Sequence, residues 1–263
     1  MTSLETSLRS LRDGGRKAFV PYFMAGASKD WLRHVEAAAH AGADAIEIGL
    51  PFSDPMIDGV VIQEAALRSL ERGTSIDSVV SELDDLEVDV PLIAMTYYNV
   101  VLHGGLERSA SLLRGARVSG VIIPDLPLEE ALEWEGACAQ HDLATIFLVA
   151  PSTPPTRLEM IAQRTKGFCY AQGRMAVTGT PGARSEGGAI ATAVRAVTDV
   201  PVYVGIGIST PAQASDAASQ ADGAIVGTAM VELLLRGASV GDVESFVASF
   251  RHALDHAPAT DFA

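Results

Sequence analysis

The sequence predicts an α/β fold, a (β/α)8 TIM barrel with an extra N-terminal helix and a C-terminal closing helix. Three observations point there. Eight short apolar runs rich in β-branched residues alternate with longer stretches of helical period. Such alternation predicts a parallel sheet covered by helices. The length of 263 residues suits one barrel, which needs about 250. The composition, 48 % hydrophobic but only 6 % aromatic, suits parallel strands of Val, Ile, Leu and Ala. A doubly wound open sheet would alternate in the same way, so periodicity alone does not separate the two.

In order, the runs are AFVPYFM (18–24), DAIEIGL (44–50), VPLIAM (90–95), GVIIPDL (120–126), LATIFLV (143–149), GFCYA (167–171), VPVYVGIGI (200–208) and DGAIVG (222–227). Stretches such as KDWLRHVEAAAHAG and PLEEALEWEGACAQHD between them space apolar residues three and four apart, as helices do. The opening TSLETSLRSLRD reads as an amphipathic helix over the barrel floor, and DVESFVASFRHALDH as the closing helix. No linker divides the chain, so residues 1–263 are expected to form one domain with a short disordered tail from about 257. The longest irregular stretch, QGRMAVTGTPGARSEGG (172–188), follows the sixth run and reads as a lid, since long polar loops at strand ends are usually functional.

The net charge of −14 argues against binding nucleic acid or an anionic membrane, which a basic face would attract. It does not exclude a phosphorylated substrate, because backbone N–H groups at a helix start bind phosphate locally. No apolar stretch is long enough for a signal peptide or a membrane span. The two cysteines, Cys138 and Cys169, form no Cys-x-x-Cys motif. A cytoplasmic protein without disulfide or zinc site is therefore expected.

Barrel enzymes carry their sites at the C-terminal strand ends. Glu47, inside the apolar run AIEIGL, is the first candidate. A buried carboxylate is costly, and burial raises its pKa toward the range of a general acid–base. The competing reading is a structural Glu paired with a cation or turned to solvent. Asp54 precedes Pro55 and suits a turn. Asp58 stands just before the helical stretch GVVIQEAALRSLERG, equally placed as N-cap or substrate contact. The seventh and eighth runs end in glycine-bearing turns, VGIGIST and DGAIVGTAM, each opening a helix. Either alone could be an ordinary βα turn, which needs glycine anyway; together, in that order, they read as the usual phosphate cradle of these barrels. GASVG (237–241) fits Gly-x-Ser-x-Gly but joins two helical stretches, so it is no nucleophile elbow. The six histidines show no metal spacing, and no metal is expected. Arg174, in the lid, could reach either a phosphate or solvent.

EIGLPFSDPMIDG (47–59) resembles the second-strand signature of the tryptophan synthase alpha subunit family. FVPY (19–22), TYYN (96–99), PDLP (124–127), VTG (177–179), GIGIS (205–209) and VGTA (226–229) match the same family in the same order. The resemblance implies retro-aldol cleavage of indole-3-glycerol phosphate to indole and glyceraldehyde 3-phosphate, in tryptophan biosynthesis, without cofactor or metal. It makes Glu47 the acid–base catalyst and Asp58 the carboxylate that engages the indole N–H. Tyr22 becomes an aromatic substrate contact, Tyr97 a wall of the indole pocket, and Tyr170 a neighbour of the catalytic Glu. Thr178 and Gly179 fall on the closing lid, and Ile206, Gly207, Gly227 and Thr228 on the phosphate cradle, with Thr228 where the family usually has serine.

Three places depart from the pattern. Val60 and Val61 stand where the family usually has Pro-Thr, the first loop reads AGAS with Ala27 and Ser28, and Ala176 replaces a lid glycine. An alanine there stiffens the loop, because it resists positive φ. The first two departures lie in loops resembling those that meet the family's beta subunit. Two partner states are thus expected: pairing with a beta subunit, or a stand-alone lyase releasing free indole. A third possibility, from a different class, is a non-catalytic barrel that binds a phosphorylated ligand.

Overall fold

A computed structural model describes residues 2–173, 187–205 and 207–257. The strands among them are β1 (Ala18–Met24), β2 (Ile46–Gly49), β3 (Leu92–Met95), β4 (Val118–Ile122), β5 (Ala144–Ile146), β6 (Leu148–Val149), β7 (Cys169–Gln172), β8 (Val202–Gly205) and β9 (Gly223–Val226). The helices are α1 (Ser3–Asp13), α2 (Trp31–His40), α3 (Val60–Glu71), α4 (Ile76–Leu83), α5 (Tyr98–Gly104), α6 (Leu106–Gly115), α7 (Leu132–Gln140), α8 (Pro155–Arg164), α9 (Gly187–Arg195), α10 (Pro211–Ala218), α11 (Thr228–Leu235) and α12 (Val240–Asp255).

All pairings are parallel, in the order β5-β4-β3-β2-β1-β9-β8-β7-β6. The two edges of this sheet, β5 and β6, are consecutive in the chain and separated only by Phe147. The sheet is therefore a nearly closed barrel. The expected fifth strand divides: Ala144–Ile146 pairs with β4 and Leu148–Val149 with β7, while Tyr170 N–H donates to the Phe147 carbonyl at 3.1 Å. One extended run serves both neighbours, each along half its length.

Side chains alternate with the period of two that strands impose. Phe19, Ile46, Ile48, Val121, Val202 and Val204 pack beneath the helices. Val20, Ala45, Ile93, Ile122, Ile146, Phe168, Tyr170, Tyr203 and Ile225 form an inner cluster. Leu4 and Leu8 of α1 join that inner cluster, so α1 plugs the N-terminal end of the barrel, as its amphipathic pattern predicts. A side chain at Gly120 would stand 2.6 Å from Leu4, which explains the glycine in β4.

Buried ion pairs lock the same end. Asp44 accepts Phe19 N–H at 2.8 Å, Arg16 Nε at 2.6 Å and Arg251 of α12 at 2.6 Å. Asp222 repeats the device before β9, accepting Val202 N–H at 2.8 Å and Arg195 at 2.5 Å. The stretch PLEEALEWEGACAQHD breaks into a 3-10 turn, Leu128–Glu130, and then α7. Among the described residues, no helix is long and apolar enough to cross a membrane.

Candidate active site

Within β2, Glu47 shares the inward period of Ala45 and pairs in register with Tyr22 of β1 and Ile93 of β3. Its side chain is 1 % exposed, and Oε2 has no hydrogen-bond partner. Among the described residues no cation pairs with it, and its burial excludes a Glu turned to solvent. Burial, reinforced by the charge of Asp58, pushes its carboxyl up to about 8. This is the desolvation that raises acids in apolar sites.

Asp58 follows β2 in the loop before α3. The N-cap of α3 is Gly59, so Asp58 stands one residue before the capping position. Its Oδ2 accepts the Tyr97 hydroxyl at 2.9 Å. Burial raises the Asp58 carboxyl, while the donated hydrogen bond opposes the rise. The two acids thus differ: Glu47 is deeply buried with Oε2 unpartnered among the described residues, and Asp58 is hydrogen-bonded and less buried. Asp54 is exposed and accepts the Ser53 hydroxyl at 2.6 Å, consistent with a turn.

Three tyrosines surround the acids. Tyr97 stacks on Phe52 at 5.1 Å and accepts Ile57 N–H at 3.4 Å. Tyr22 and Tyr170 are fully enclosed; burial first, and then the nearby charges of Asp58 and Glu47, push both phenols far up, so both keep their protons. Each lies over a glycine of the next strand. A Cβ on Gly49 would stand 1.9 Å from the Tyr22 hydroxyl, and one on Gly205 2.1 Å from that of Tyr170. These glycines make room for inward tyrosines, a role the sequence reading did not assign them.

The two helix starts expected to cradle phosphate differ. At α10, Thr210 and Gln213 form a capping box, and Gln213 Oε1 also accepts Ser209 N–H at 2.8 Å. At α11 no side chain caps the first turn. Its N-cap, Gly227, adjoins Tyr22, with Thr228 partly exposed beside it, so this open helix start borders the acid pair. Gly207, beyond β8, has φ +85°, which favours glycine. Ile206, Arg174, Ala176, Thr178 and Gly179 lie outside the described residues.

Residues 8–253 match the family described as tryptophan synthase alpha chain. The chain belongs to this family. The tryptophan synthase alpha chain of Chloroflexus aggregans is 42 % identical over 245 residues, covering 90 % of this chain and 91 % of the relative. That of Methanosarcina mazei is 43 % identical over 240 residues, 88 % and 86 % of the two chains. A chain of the Mycobacterium tuberculosis tryptophan synthase structure superposes with a TM-score of 0.89 at 34 % identity, covering 96 % of this chain and 98 % of that one. The tryptophan synthase subunit alpha structure from Legionella pneumophila gives 0.88 at 30 % identity, covering 97 % and 99 %. The barrel described above is therefore the tryptophan synthase alpha fold, and the family is one of lyases of amino-acid biosynthesis.

Against that family background, Tyr22, Glu47, Asp58, Tyr97 and Tyr170 come together at one end of the barrel, beside Gly227 and Thr228. Asp125, in the PDLP motif, borders this group: its Oδ1 accepts Tyr98 N–H at 2.9 Å. No group of three His, Cys, Asp or Glu among the described residues could hold a metal ion.

Proposed function

We infer that this chain cleaves indole-3-glycerol phosphate to indole and glyceraldehyde 3-phosphate, the alpha reaction of tryptophan synthase. The observation that carries the reading is Glu47: buried, with Oε2 unpartnered among the described residues and the carboxyl pushed up to about 8, beside a second carboxylate of different character. Two acids pushed apart by their surroundings commonly divide acid–base and electrostatic roles.

Protonated at neutral pH, Glu47 gives its proton to the indole C3, and positive charge develops at the ring nitrogen. Asp58, held by Tyr97, faces the ring N–H and stabilises that charge, as a preorganised group does without reorganising. The Glu47 carboxylate then takes the proton of the adjoining glycerol hydroxyl. The C–C bond breaks, its electron pair returns to the ring, and the aldehyde forms. The proton given equals the proton taken, so Glu47 ends as it began. The phosphate is assigned to the open start of α11 at Gly227 and Thr228, where N–H groups and the helix dipole favour an anion.

The same reading extends to a beta subunit as partner. Met56 and Val60, 80 % and 78 % exposed, put apolar surface on the loop after β2 and the first turn of α3. Of the departures from the family pattern, Ala27 and Val61 pack against the Tyr22–Met24 cluster within this chain, so they bear on its own core. Indole release from indole-3-glycerol phosphate, with and without a beta subunit, tests both claims. Glu47→Gln is expected to abolish turnover while binding persists; near-normal cleavage by that variant overturns the assignment. A rate unchanged by the beta subunit would favour the stand-alone lyase.

A further inference from the structure

We propose that Asp125 is a positioning residue for this reaction, fixing the Tyr97 hydroxyl on Asp58 from two strands away. The proposal rests on the reading of Asp58 just given. Tyr97 is the N-cap of α5, yet its own side chain makes no cap, being turned instead toward Asp58. The first N–H of α5, that of Tyr98, is taken by the Asp125 carboxylate in the loop after β4, at 2.9 Å. A carboxylate at a helix start is favoured both by the hydrogen bond and by the helix dipole.

The loop that carries Asp125 is stiff. Pro124 and Pro127 flank the Asp125-Leu126 pair and restrict the backbone. Leu126 N–H donates to the Ile123 carbonyl at 3.2 Å, and Leu126 and Leu128 are buried in the layer beneath the helices. Asp125 therefore ties the backbone at Tyr97–Tyr98 to a rigid part of the barrel. Beyond Tyr97, the ring is steadied by Phe52 and the hydroxyl by Ile57 N–H, but neither fixes the backbone from which the ring projects. A tyrosine is a long lever, so a small swing at its Cα is amplified at the hydroxyl. A misplacement of about 1 Å near reacting groups can cost on the order of 100-fold.

Three consecutive strand-end loops are thereby coupled: Asp58 after β2, Tyr97 after β3 and Asp125 after β4. Asp125 binds Tyr98 N–H and its charge acts on the Tyr97 phenol, so its effect on Asp58 passes through Tyr97. A double-mutant cycle on indole release separates this from a general structural role. Tyr97→Phe removes the bond to Asp58 and is expected to lower kcat/KM about 10- to 100-fold, the scale of a hydrogen bond to a charged group. Asp125→Ala is expected to lower kcat/KM about tenfold with intact Tyr97, and less than about twofold in the Tyr97→Phe background. Asp125→Asn, which keeps the acceptor oxygen, should restore most of the loss, and Asp125→Ser, too short to reach Tyr98 N–H, should not.

The pH profile supplies a second readout. Asp58 is faced by Glu47 from β2, Tyr22 from β1, Tyr170 from β7 and Tyr97 after β3. Losing the Tyr97 bond lets its carboxyl rise, so the acid limb of kcat/KM moves to higher pH in Tyr97→Phe and Asp125→Ala alike. Thermal melts verify that each variant is folded, and Asp125→Ser stands in should the alanine variant be unstable. Equal losses from Asp125→Ala in both backgrounds, failure of asparagine to rescue, or an unmoved acid limb would each overturn the proposal. Absence of indole release from the unmutated chain would instead sink the functional reading itself.

Discussion

Replacing Glu47, the proposed acid–base catalyst, should make the protein more stable, by an amount that depends on pH. Glu47 titrates near 8 in the folded chain, against an ordinary value of 4.5. Above pH 4.5 the unfolded chain releases this proton while the folded chain keeps it, so folding takes up a proton and stability falls as pH rises. The loss grows by about 1.4 kcal/mol per pH unit until the folded group ionises near 8. It reaches about 3 kcal/mol at pH 7 and saturates at about 5 kcal/mol above pH 9. Glu47→Gln has nearly the same shape and carries no such penalty. Its stability relative to the unmutated chain should therefore be smallest near pH 5 and rise through pH 7 to pH 9. At pH 7 the pH-dependent part corresponds to a melting temperature roughly 6–12 °C higher, on the scale of a domain of this size. Thermal melts of both proteins at pH 5, 7 and 9 measure it. Asp58→Asn should shrink the growth, since the Asp58 charge contributes to the shift. A difference that stays constant with pH would refute the reasoning, because it would mean that Glu47 ionises normally in the fold.

Three other outcomes follow from the same geometry. Gly49→Ala places a methyl 1.9 Å from the Tyr22 hydroxyl, so the ring must leave its place beside Glu47. Overpacking of this kind costs about 1–3 kcal/mol, and turnover should fall further than the melting temperature predicts. Arg251→Met removes a buried partner of Asp44 at the far end of the strands. It should cost about 3 kcal/mol of stability and leave kcat/KM of the folded fraction unchanged. Inorganic phosphate should inhibit competitively, and Thr228→Val should raise both its inhibition constant and the substrate KM about tenfold at constant kcat.

Most of the fold was legible because barrel strands must alternate their side chains. The run AFVPYFM coincides with β1 residue for residue. The division of LATIFLV at Phe147 was not legible, since it depends on which neighbour each half pairs with, and β-branched composition is the same for both. Glu47 stood out because an acid in an apolar run needs a reason. Asp58 could not be separated from an N-cap by spacing: the group that claims its side chain, Tyr97, lies 39 residues away. Asp125 was hidden for the same reason, its partner being a backbone N–H 27 residues earlier. Gly49 and Gly205 sat in recognised motifs, but their purpose depends on tyrosines from adjacent strands.

The distribution of buried charge distinguishes the two ends of this barrel. Asp44, Asp222 and Glu5 lie toward the N-terminal ends of the strands, and all accept backbone N–H groups and pair with arginine. Such pairs hold helices to strands, and their charges are answered where they stand. Glu47 is as deeply buried as any of these, yet among the described residues its Oε2 has no hydrogen-bond partner and no arginine pairs with it. Had stability alone shaped the site, an apolar residue like its neighbours Ile46 and Ile48 would serve better at no electrostatic cost. An unanswered carboxyl persists only where something else answers it during use. In the proposed reaction the indole ring carbon, which takes the Glu47 proton, is a partner of that kind. The contrast between satisfied charges at one end and an unsatisfied one at the other, among the described residues, supports the proposed placement of the chemistry without appeal to sequence kinship.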